Sequence, residues 1–134
     1  NLDDTKKLEE TLIKLVHLDP ANEDSMKLLM KLFLDQKKYE QALHWGQAAL
    51  YIDVLDPETH QQLAETALKL NQTDVAVREL KMVLHLDEKN EDLRFLLAET
   101  LVNSGKTEEA LTELNLLLQQ NPAHVQALKL KKKL

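Results

Sequence analysis

Val16-His17-Leu18-Asp19 and Leu84-His85-Leu86-Asp87 are nearly the same tetrapeptide, set 68 residues apart in a chain of 134. Half of that separation is 34, and a 34-residue register aligns far more than these two segments. Ala42, Ala76 and Ala110 share one column, and Leu29, Leu63 and Leu97 a second. Leu50, Leu84 and Leu118 make a third, and Leu43, Val77 and Leu111 a fourth. With 30 leucines, isolated coincidences are expected, but conservative columns at one fixed spacing are not.

Each period, starting at Glu23, Pro57 and Glu91, splits into two amphipathic stretches. In the second stretch Ala42, Leu43, Gly46, Ala49 and Leu50 recur as Ala76, Val77, Leu80, Val83 and Leu84. They recur again as Ala110, Leu111, Leu114, Leu117 and Leu118. Spacings of i, i+1, i+4, i+7 and i+8 place these side chains on one stripe of an α-helix. The first stretch reads Met26, Leu29, Met30, Phe33, then His60, Leu63, Ala64, Ala67, then Arg94, Leu97, Ala98, Leu101, again a helical stripe.

Start and stop signals repeat with the columns. Asn22, Asp56 and Asn90 precede the first helices, where a side-chain oxygen satisfies an orphan backbone N–H. Glu23 with Asp24, Glu58, and Glu91 with Asp92 then oppose the positive end of each helix dipole. Between the paired helices, Asn71 and Gly105 suit a left-handed turn, and Lys37 is a poorer choice. The register predicts eight helices, at about 5–18, 23–35, 38–52, 57–70, 73–86, 91–103, 107–119 and 123–132. The first is a second helix without its partner, with Leu8, Leu12, Leu15 and Val16 in core columns; the last begins another first helix, with Leu128 in a core column. Met30 is large where Ala64 and Ala98 are small, whereas Gly46 is small where Leu80 and Leu114 are large, so Met30 is expected to fill the space at Gly46.

Composition agrees with an all-α chain. Two glycines are too few for the many tight turns of an all-β fold. No cysteine is present, which excludes disulfides and thiolate metal sites without fixing the compartment. No apolar run reaches about 18 residues, so no membrane-spanning helix is expected. The start, Asn1-Leu2-Asp3-Asp4, has no signal-peptide character and no initiator Met, which points to a fragment or a processed chain. We expect a soluble protein, with a cytoplasmic setting favoured and the compartment otherwise open. Net charge is −6, and Lys129, Lys131, Lys132 and Lys133 crowd one end, which leaves the body at −10. That balance argues against a nucleic-acid surface, which needs clustered Lys and Arg.

The 34-residue period, paired helices and small-residue columns resemble the tetratricopeptide repeat. In that family small residues sit where helices cross, as do Ala64 and Ala98 in the first helices and Ala42, Ala76 and Ala110 in the second. Pro20 and Pro122 match a proline near the unit's end, whereas Val54 and Glu88 depart from it; Tyr39 matches an aromatic site that Thr73 and Thr107 do not. The resemblance implies an all-α, right-handed superhelical solenoid of antiparallel helix pairs. One domain then spans 1–134, with a half repeat at 5–22, repeats at 23–56, 57–90 and 91–124, and a capping helix at 125–134.

Nothing in the sequence suggests catalysis. The histidines His17, His44, His60, His85 and His124 have no metal-binding spacing, and phosphate-cradling glycine loops and nucleophile motifs are missing. No enzyme, cofactor or metal is expected. What remains is surface. In proteins of the resembled family the first helices line a concave groove. Here that groove would carry Lys27, Leu28, Lys31 and Leu34, then Gln61, Gln62, Glu65 and Leu68, then Phe95, Leu96, Glu99 and Val102. Its apolar anchors, with Phe95 and Leu96 exposed together, and the acidic Glu65 and Glu99 favour a protein or peptide segment carrying Lys or Arg. The family's carboxylate clamp for chaperone tails is incomplete, since only Lys27 matches while Lys31, Gln62, Asp92 and Leu96 replace the other members. The expected function is a protein–protein interaction scaffold. The alternatives are a structural spacer or self-association module, or a regulatory region of a larger multidomain protein or enzyme.

Overall fold

The computed structural model describes residues 1–134 as eight helices joined by short turns, with no strand. They are α1 (Leu2–Leu18), α2 (Glu23–Asp35), α3 (Tyr39–Ile52), α4 (Pro57–Lys69), α5 (Thr73–Leu86), α6 (Glu91–Asn103), α7 (Thr107–Gln120) and α8 (Val125–Lys132). The closest pairs are α2 with α3, α4 with α5, and α6 with α7, and each pair packs in turn on the next. The core is a spine in three segments. Leu12, Leu29, Met30, Phe33 and Leu63 belong to the first, Leu80, Leu84, Leu97 and Leu101 to the second, and Leu114, Leu117 and Ala127 to the third. Ala42, Ala76 and Ala110 are fully buried, because a larger side chain there would hold the paired helices apart.

The turns are as periodic as the core. Asn22, Asp56 and Asn90 cap α2, α4 and α6 by accepting from the backbone N–H groups of Ser25, Glu58 and Leu93. Lys37, Asn71 and Gly105 have φ of 57°, 56° and 76°, all left-handed. After each, the next N–H closes back on the helix: Lys38 N–H to Phe33 O at 2.8 Å, Gln72 to Ala67 at 2.8 Å, Lys106 to Leu101 at 2.9 Å. These are Schellman closures, and they reverse the chain in two residues. At the other connections Asp19, Asp53, Asp87 and Asn121 each accept from the N–H two residues on, an Asx turn. This Asp/Asn column is a second periodic turn signal beside the N-caps.

Two expectations at the ends are corrected. Leu128 is 46% exposed, and Ala127 is the buried residue of α8, with Leu130 half-buried beside it. The reason is that the column of Leu128 is covered inside a unit by the second helix, and no such helix lies against α8. Leu8 and Leu15 are likewise exposed, since no first helix packs on α1, while Leu12 is buried and Val16 half-buried against the α2–α3 pair. Helix α1 also starts earlier than expected, at Leu2, because Asn1 caps it.

Gly46 is where two units close on each other. A methyl group placed there would stand 2.7 Å from Met30 Sδ and 2.8 Å from Leu63 Cδ2. Met30 therefore occupies the space that the glycine leaves, as the compensating columns indicated. Gly46→Leu is expected to lose about 2 kcal/mol by overpacking, and Met30→Ala added to it should recover part of that loss. Urea denaturation of the four chains measures the coupling, expected at about 1 kcal/mol; strict additivity would contradict the packing. Separately, Lys37→Gly should gain about 0.5–1 kcal/mol by relieving a left-handed lysine, read as a higher urea midpoint.

Candidate binding groove

The twelve groove positions fall on α2, α4 and α6 as register-equivalent sets, and none of them is fully buried. Leu34, Leu68 and Val102 form one column, half-buried against the core, so the apolar line is anchored from below. Phe95 and Leu96 do not stand out exposed together as the sequence suggested. Phe95 packs on the third core segment and lies with its ring centroid 5.5 Å from that of His124, and Leu96 packs on the second. Both sit between successive helix pairs, which remove part of their surface from water. Leu28 is the one large apolar groove residue that is exposed.

Lys31, Glu65 and Glu99 make a second column, exposed in all three units. No ion-pair partner lies within reach of any of them, and Glu65 only accepts a neutral bond from Gln61 Nε2 at 3.0 Å. Gln62 Nε2 donates to Glu58 at 3.3 Å, a long bond.

Lys27 is already engaged. Its Nζ lies 2.7 Å from Asp56 and also pairs with Glu23 one turn back. Hydrogen bonds to Asp56, then to Glu23, push its pKa above the ordinary lysine range. For Asp56, burial acts to raise the carboxyl, but hydrogen bonds from Lys27 and Thr59 outweigh it and leave the pKa below the ordinary 3.8. Lys27 thus ties α2 to the cap of α4, and the groove's free charges reduce to Lys31, Glu65 and Glu99.

Behind the groove, two buried polar pairs were missed from sequence. His60 Nδ1 lies 2.6 Å from Glu79 Oε2, and its Nε2 donates to Val54 O at 2.8 Å. One unit later Arg94 Nη1 donates to Glu113 Oε2 at 2.7 Å and Nη2 to Glu88 O at 2.9 Å. The arrangement is the same twice, since a first-helix nitrogen-bearing side chain spans a second-helix carboxylate 19 residues on and a carbonyl six residues back. The sequence carried the signal as His60 or Arg94 in one column and Glu79 or Glu113 in a linked one, whereas unit one has Met26 and Trp45 there. Both pairs lock a helix pair to the preceding connector. No group of three or more His, Asp or Glu side chains is placed to share a metal ion.

The sign of the Asp56 shift sets a pH test. A carboxylate with a depressed folded pKa adds stability above its unfolded value, near 4, and loses it as pH falls through the folded value. Lys27→Met should therefore cost about 1 kcal/mol at pH 7, the low end for a charge-assisted pair because this lysine is 37% exposed. The gap between variant and parent should shrink as the pH is taken from 5 to 2, read by urea denaturation; a constant gap would contradict the assignment.

Comparison with known proteins gives the architecture a family. A tetratricopeptide repeat model matches residues 67–134, half of the chain. No curated protein matches the chain by sequence. In three dimensions it is similar to MamA, with a TM-score of 0.76 at 17% identity over 93% of this chain and 73% of that one. It is also similar to YrrB, described as a TPR protein with an unusual peptide-binding site, with a TM-score of 0.78 at 21% identity over 94% of this chain. The chain spans only 65% of that YrrB chain. The Arabidopsis OM64 TPR domain gives 0.66 at 16% identity, over 83% of this chain and 92% of that one. At such identities the structural likeness is one of fold, and it agrees with the family match: the chain belongs to the tetratricopeptide repeat family.

Proposed function

We propose that this chain is a non-catalytic protein-interaction module, whose units at 23–56, 57–90 and 91–124 present the faces of α2, α4 and α6 to a segment of a partner. The observation that carries this reading is the column Lys31, Glu65 and Glu99, exposed and without ion-pair partners beside the apolar line of Leu34, Leu68 and Val102. Two uncompensated carboxylates next to an anchored apolar strip favour an extended or helical segment with apolar residues flanked by Lys or Arg. A preformed groove also spares the partner part of the ordering cost of binding. The description of YrrB as peptide-binding supports a peptide ligand for the same fold.

Because Leu68 and Phe95 are packed on the core, charge changes at them would confound binding with folding. Glu65 and Glu99 are exposed, so Glu65→Lys with Glu99→Lys should leave the fold intact by circular dichroism. We expect basic-apolar peptides from a fluorescent array to bind the parent and to lose about tenfold in affinity to this double variant. Equal affinity for parent and variant would overturn the groove.

A further inference from the structure

We propose that the crevice between the α2–α3 and α4–α5 pairs, on the side lined by the second helices, is a separate docking site. Its occupant is a partner-protein segment in which a large apolar side chain neighbours a carboxylate. The crevice occurs twice, once at each junction between full units. At the first junction it measures about 360 Å³ and is walled by Leu50, Tyr51, Val54 and Met82. At the second junction it measures about 370 Å³, with the Arg94–Glu113 pair in place of His60–Glu79. Register-equivalent positions line both, but with different side chains. Gln47, Tyr51 and Val54 of the first crevice stand where the second has Lys81, His85 and Glu88. One crevice is apolar and the other is charged.

Two wall residues of the first crevice, Tyr51 and Val54, belong to an exposed apolar stretch of the chain. Tyr51 is 90% exposed, Ile52 43%, Val54 56% and Leu55 63%, four large apolar residues within five positions. The equivalent stretch after α5 is His85, Leu86, Asp87, Glu88 and Lys89. Solvation requires no such patch, since the second junction does without it, and contiguous exposed apolar surface beside a concavity marks an interaction site.

The charge at the mouth selects the partner. Arg78 lies there with its side chain 63% exposed, and Thr112 is its counterpart at the second junction. Its Nε and Nη2 donate to Glu79 Oε1 at 2.9 and 2.8 Å, and Nη1 has no acceptor. The other Glu79 oxygen faces His60, so both oxygens of the only carboxylate lining the crevice are taken. Asp53, which does not line the crevice, has one oxygen bonded to the Leu55 backbone N–H and keeps its charge without an ion-pair partner. Among the lining residues an incoming cation finds no free carboxylate, whereas an incoming carboxylate finds the open edge of a guanidinium, a geometry suited to it. The preference is opposite in sign to that of the first-helix groove, and this site stands whether or not that groove binds anything.

The test uses two short peptides, acetyl-Leu-Phe-Asp-Glu amide and acetyl-Leu-Phe-Lys-Lys amide, titrated into the whole chain with methyl and arginine Nε resonances followed by NMR. The acidic peptide should shift Leu50, Val54 and Met82 methyls and Arg78 Nε saturably, and the lysine peptide should bind there at least tenfold more weakly. Arg78→Gln, at an exposed position, should bring the two peptides within about threefold of each other. Val54→Glu, which copies the residue at the second junction, should abolish both. Absence of a saturable shift at Val54 would overturn the proposal. So would equal shifts at Leu84 and Leu116, or a preference that survives Arg78→Gln. Shifts confined to Leu28, Leu68 and Leu96 would place the peptide in the other groove and overturn it as well.

Discussion

Leu63 belongs to α4, yet it lies fully buried in a core segment built mainly from α1, α2 and α3. That sharing is the constraint on which the structure depends. A pair of helices of 13 or 14 residues has apolar residues on two faces and can cover only one of them by itself. Each pair therefore completes its burial on the next, and the chain becomes a line of interfaces rather than a globule around one centre. Ala64 shows the handover, since one turn of the same helix puts it in the second core segment while Leu63 and Ala67 remain in the first. The alanine columns follow from this arrangement, because helices packed on both sides have no room for more than a methyl group at the crossings.

The connectors then fix how successive pairs meet. Asx turns at Asp19, Asp53, Asp87 and Asn121 shape the link between units, and Schellman closures at Lys37, Asn71 and Gly105 shape the link within them. Lys27–Asp56 and His60–Val54 add side-chain ties at the α3–α4 link, and Arg94–Glu88 adds one at the α5–α6 link. With the geometry repeated, differences between units fall on the surface. The first helices carry uncompensated carboxylates at Glu65 and Glu99, and the second helices open an apolar crevice beside Arg78. The units thus differ in which charged groups their surfaces leave without a partner.

Much of this was legible in the residues because a repeat acts as its own alignment. The period located every helix to within a few residues, and the N-cap column of Asn22, Asp56 and Asn90 formed the expected bonds. Met30 against Gly46 was legible for the same reason, since two departures from their columns cancel in volume. The misreadings share a cause. Leu128, Leu8 and Leu15 sit in core columns, but a column records what a position faces only when the facing helix is there. His60 and Arg94 were legible only as members of the first-helix stripe, because their partners lie 19 residues away on another helix. Phe95 and Leu96 were read as exposed, whereas the neighbouring helix pairs half-bury both.

The sequence by itself determined the period, the all-α class and the ends of the helices, because propensity, capping and stripe are local properties that act within a few turns. Only the tertiary structure decided which charges are spent and which are free. Lys27 and Glu79 are occupied by partners from other segments, while Glu65, Glu99 and the outer edge of Arg78 are not. Ion pairing depends on distances of a few ångströms between helices, and those are set by how closely the alanine columns let successive pairs approach.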